Sequence, residues 1–72
     1  MTVDWSECPW VERIPGKVSG EPVIKGTRVP ADTIVIDEEL GQTPEQTHDN
    51  FPSVPVETIR KIRAWAHTKA AL

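Results

Sequence analysis

Ser19-Gly20-Glu21-Pro22-Val23-Ile24-Lys25-Gly26-Thr27-Arg28-Val29-Pro30 packs two glycines, two prolines and a short apolar run into one unit, directly ahead of a helical pattern. Gly26 offers the backbone angles that a tight turn needs and that residues with side chains resist. Pro22 and Pro30 fix φ and withdraw backbone donors, while Val23 and Ile24 favour extended structure. The stretch reads as strand, tight Gly-Thr-Arg turn, short second extended piece, then helix. Thr27 is expected to bond the backbone of its own turn. Arg28 is expected to pair with an acid such as Asp32, or with exposed carbonyls, rather than to clamp a ligand.

Upstream, residues 1–16 read as an arm. Trp5 and Trp10 are large apolar anchors, Pro9, Pro15 and Gly16 break any long helix, and Trp10–Ile14 has the makings of a short strand. The two tryptophans need somewhere to pack, either the chain's own core or a partner subunit. Downstream, residues 17–72 form one domain with three helical segments. The first runs from Ala31 to Leu40, between Pro30 and Gly41, with Ile34, Val35 and Leu40 on its inner side. Its end carries Asp37-Glu38-Glu39, where the helix dipole disfavours negative charge, and the sequence names no compensating group. The second runs from Pro44 to Asn50, started by Thr43 as N-cap with Gln46 completing a capping box and stopped ahead of Pro52. The third opens at Pro55 and extends to Lys69. Val56, Ile59, Ile62 and Ala66, with the stem of Lys69 or Ala70, share one face. Thr58, Lys61, Trp65 and Thr68 line a second stripe, and Arg60, Arg63 and His67 a third.

Seventy-two residues make one small domain with a marginal core. Cys8 is the only cysteine, so an internal disulfide is ruled out and a reducing cytoplasm is the expected setting. No apolar run approaches the roughly 20 residues of a membrane span, and the N-terminus lacks the pattern of a signal peptide. Net charge is −3, unevenly spread: residues 1–53 carry ten acids and four bases, residues 54–72 four bases and one acid. A basic helix on an acidic body suits an anionic partner at one end.

Gly20-x-Pro22-x-Ile24-x-Gly26-Thr27-Arg28-Val29-Pro30, followed by a helix, Gly41, Thr43-Pro44-Glu45, Phe51-Pro52 and an Ile59-bearing helix, resembles the family called domain of unknown function 433, over about residues 13–67. The resemblance implies a mainly α fold: an N-terminal strand or hairpin arm and a three-helix bundle of helix-turn-helix, homeodomain-like kind. It also implies a link to toxin–antitoxin pairs, in which such domains look like VapB-type antitoxins beside a nuclease. The chain departs from the family at Pro55, where Ser or Thr is common, and at Thr47 and His48, where apolar residues are common.

Two functions compete. In a helix-turn-helix the start of the third helix enters the major groove, which makes Thr58, Arg60, Lys61 and Arg63, next to Glu57, candidate DNA contacts for operator binding. The leading expectation is a small bacterial regulator or antitoxin-like protein that binds a protein partner such as a nuclease toxin, with its own operator DNA as a further target. Trp5, Trp10, Asp37, Glu38, Glu39 and Trp65 are candidate partner contacts, the acids placed for a basic groove. The alternative is a dimeric protein-interaction module that never touches DNA. A homodimer is expected because the core is small, no disulfide staples it, and a Trp-bearing arm lies next to an edge strand at Glu21–Ile24 that must be covered. His48, His67 and Cys8 lack metal-ligand spacing and no general acid and base pair up. No enzyme activity, cofactor or metal is therefore expected.

Overall fold

The computed structural model describes residues 2–16 and 20–71; Ser19, the first residue of the stretch quoted above, lies outside them. The elements are β1 (Thr2–Val3), β2 (Val11–Glu12), β3 (Val23–Ile24), α1 (Ala31–Glu39), α2 (Pro44–Asn50), α3 (Val56–Lys69) and β4 (Ala70–Ala71). A short antiparallel hairpin precedes three helices. β2 pairs with β3 in the register Val11↔Ile24 and Glu12↔Val23. β1 pairs with β4, Thr2 opposite Ala71, which ties the start of the arm to the end of α3.

The Gly-Thr-Arg turn forms through its own threonine. Thr27 donates from N–H and Oγ1 to the Ile24 carbonyl at 3.0 and 2.8 Å, and Val29 N–H donates to Thr27 Oγ1 at 3.0 Å. Gly26 sits at φ +77°, the left-handed region that favours glycine. Ile24 N–H reaches back to the Val29 carbonyl at 2.9 Å, and Val23 bridges Pro30. β3 is therefore flanked on both sides, by β2 and by the Val29–Pro30 segment. The open edge expected at Glu21–Ile24, one of the grounds for expecting a dimer, is covered by the chain itself.

α1 buries Ala31, Ile34 and Val35. Leu40, expected on the inner side, is instead 71% exposed. It is the residue at which the helix closes: Gly41 N–H bonds the Glu38 carbonyl and Gln42 N–H the Asp37 carbonyl, both at 3.0 Å, with Gly41 at φ +85°. The Schellman closure ends the helix here, and Leu40 is exposed because it stands one turn beyond Ile36, on the side of α1 opposite Ile34 and Val35. α2 starts on the expected capping box, Gln46 N–H to Thr43 Oγ1 at 3.1 Å and Thr43 N–H to Gln46 Oε1 at 2.8 Å. α3 begins one residue later than expected, with the Pro55 carbonyl taking its first bond from Ile59 N–H. Ile59, Ile62 and Ala66 are buried; the side chains of Lys69 and Ala70 lie outside the described set.

α3 packs on both α1 and α2. Ile34, Ile59, Ile62 and Val54 are fully buried at the centre of the core. The arm is built into it, since Val3, Trp5, Cys8 and Val11 are buried in the same cluster.

Candidate functional site

α3 carries the charge that invites a functional reading, and its polar side chains reach other parts of the chain along two seams. The first seam is the Arg60, Arg63, His67 stripe. Arg60 Nη2 meets Glu45 Oε2 of α2 at 2.7 Å, both side chains remaining more than half exposed. Arg63 is 6% exposed. Its Nη1 donates to the Gln42 carbonyl at 3.0 Å and its Nη2 to Thr47 Oγ1 at 2.7 Å. His67 Nε2 donates to Glu38 Oε1 of α1 at 2.9 Å. The stripe clasps α2, the α1–α2 turn and the end of α1 in succession.

This seam supplies the compensation that the acidic end of α1 lacked in the sequence. Arg63 brings a cation to the turn that follows the helix, and His67 takes Glu38. Charge and donors near a helix C-terminus meet its unpaired carbonyls and the negative end of its dipole. It also accounts for Thr47. Thr47 is fully buried and presents its hydroxyl to Arg63. His48, next in the chain, donates Nδ1–H to the Val54 carbonyl at 2.7 Å and pins the α2–α3 turn.

The second seam is the Thr58, Lys61, Trp65 stripe, which faces the arm. Lys61 Nζ stands 5.6 Å from the centroid of the Trp10 ring, within cation–π range. Trp65 donates its indole N–H to the Asp4 carbonyl at 2.9 Å. Thr58 is half-buried and Glu57 exposed. Of the candidate DNA contacts, then, Arg63 is turned inside, Arg60 is ion-paired, and Lys61 is exposed but held over an aromatic ring.

The candidate partner contacts divide as well. Trp5 is buried, with its indole N–H on Asp32 Oδ1 at 2.8 Å, so Asp32 serves Trp5 instead of the expected Arg28. Trp10 and Trp65 pack half-buried against the core. Asp37 is half-buried, Glu38 holds His67, and Glu39 is exposed. An open groove of about 600 Å3 runs between arm and hairpin, bordered by Trp5, Val11, Glu12, Arg13, Pro22 and Asp32. Cys8 is buried, and desolvation pushes its thiol pKa up, away from a reactive thiolate. No helix among the described residues is long and apolar enough to cross a membrane.

The family described as protein of unknown function (DUF433) matches residues 11–66. This chain belongs to that family. No curated protein and no solved structure gives a match. The DUF433 match spans β2 through most of α3, while Val3, Trp5 and Cys8 of the arm lie outside it and still complete the core. The sequence located the stripes of α3 but missed the seam that Arg63 makes with Thr47. The signal available was a polar residue, Thr47, in a short helix whose other polar residues have solvent to face.

Proposed function

We propose that this DUF433 chain is a small non-catalytic protein-interaction module, antitoxin-like in that it binds a partner protein, and that it does not read DNA. The observation that carries this reading is the direction of the basic stripe of α3. A recognition helix needs its bases free to reach phosphates and base edges. Here Arg63 is buried, Arg60 is neutralised by Glu45, and Lys61 lies over Trp10. The three described bases of residues 54–72, Arg60, Lys61 and Arg63, are thus engaged within the molecule, and the body they belong to is acidic. A module with such a surface suits a basic partner, and the antitoxin resemblance makes the nucleic-acid groove of a nuclease one such partner.

Operator binding is the second reading, kept by the helix–turn–helix order of α2 and α3 and by the exposure of Lys61. Fluorescence anisotropy with the duplex upstream of the protein's own gene, at two salt concentrations, separates the two. The module reading expects no sequence-preferring complex. A specific complex whose salt dependence flattens by about 0.9 in log–log slope on Lys61→Glu would establish the operator reading instead.

A further inference from the structure

We propose that the outward ridge of α1, formed by Ile36 and Leu40, is the docking face, and that it takes a basic amphipathic segment of the partner protein. This rests on the module reading and names the surface that reading requires. Ile36 is 53% exposed and Leu40 71%. They stand four residues apart on one helix and so lie side by side, one turn from each other. Ala31, Ile34 and Val35 occupy the opposite, buried side, so α1 is apolar on two faces, and among the described residues only that side is buried. Single exposed apolar residues are ordinary; a contiguous pair at a helix end, both more than half exposed among the described residues, has the character of an interaction surface.

The charge around the ridge selects the occupant. α1 contains four acids and no base. By helical spacing Asp32 and Glu39 flank the ridge on one side, Thr33 and Asp37 on the other. Asp32 and Glu39 are exposed. Two copies meeting through this face would bring acidic rims together, and like charges across an interface disfavour the pair. A segment with apolar residues at helical spacing and lysine or arginine on either side matches both features, in the helix-in-groove manner in which anchors at i and i+4 meet an apolar face.

The test is an NMR titration of the isotope-labelled full chain with a synthetic leucine–lysine amphipathic helix, with a leucine–glutamate helix as control. Amide shifts confined to residues 32–41 are expected with the lysine peptide alone. The Ile36→Ser, Leu40→Ser double variant keeps its fold, both side chains being exposed, and should bind at least about tenfold more weakly. Glu39→Lys should also weaken binding, and less so at high salt. Absence of binding, shifts centred on α3 or on the groove by the arm, or an affinity that the double variant leaves unchanged would overturn the docking face. Self-association abolished by Leu40→Ser would overturn the choice of occupant. Shifts at Thr58 and Lys61 on adding the upstream duplex would overturn the module reading itself.

Discussion

A guanidinium that is 6% exposed and bonded to neutral acceptors is held in place by geometry rather than by an opposite charge. Arg63 is in that position, between the Gln42 carbonyl and the Thr47 hydroxyl, and its Nε has no hydrogen-bond partner among the described residues. A planar fork with fixed donors suits two acceptors at a set separation, which lysine cannot reproduce. Gly26 is a simpler case. Its φ is +77° and a Cβ there would meet nothing within 4 Å, so the backbone alone sets the cost. Gly26→Ala should lose about 1 kcal/mol in urea melts; no loss would mean that the turn does not hold this φ. Cys8 titrates in the direction its burial dictates. Its thiol pKa is raised by folding, so the protonated thiol stabilises the native state at neutral pH, and that contribution is lost as pH rises through the folded-state value. Alkylation of Cys8 should be slow in the native chain at neutral pH and fast in denaturant; equal rates would place the thiol at the surface.

At the scale of elements, helix positions were legible because their ends are written in residues with one local use. Thr43, Pro44 and Gln46 start α2, and Gly41 closes α1 by the hydrogen bonds its conformation permits. Thr43→Ala should therefore cost about 1 kcal/mol, with thermal melts as the measure; a change within error would show that α2 is held by packing alone. The facing of the polar stripes was not legible. Spacing places Arg60, Arg63 and His67 in one row on α3, but whether that row meets solvent or another helix depends on where α1 and α2 lie, and spacing carries no such information. Leu40 was legible and was misjudged: it lies one turn beyond Ile36, on the side of α1 opposite Ile34 and Val35, so the helical period itself leaves it outside. The Arg60–Glu45 pair is exposed on both sides, so Glu45→Gln should change stability by less than about 1 kcal/mol.

Over the whole molecule, the arm is part of the core and not an appendage. Val3, Trp5, Cys8 and Val11 are buried with the helices, β1 pairs with β4, and Trp65 holds the Asp4 carbonyl. A small domain without disulfides gains most from a large buried aromatic, so Trp5→Ala should cost about 3–5 kcal/mol; a melt shifted by less than about 1 kcal/mol would mean that the arm packs elsewhere. The mainly helical order and the hairpin ahead of it followed from Gly26, Pro30, Pro44 and the apolar row of α3. The chain's own core was the favoured place for the two tryptophans, and Trp5 lies in it with Trp10 packed against it. How the arm folds onto that body did not follow, because spacing alone does not say which surface receives it. Whether the basic stripe of α3 works inward is read most directly from a double-mutant cycle of Arg63→Met and Thr47→Val in urea. Each single change leaves a buried polar group without its partner and should cost about 1–3 kcal/mol. The double variant, with both partners made apolar, should recover much of that loss, giving a coupling of about 1–2 kcal/mol. Single variants as stable as the wild type, with no coupling, would place the Arg63 guanidinium in solvent and return it to the surface that DNA would meet.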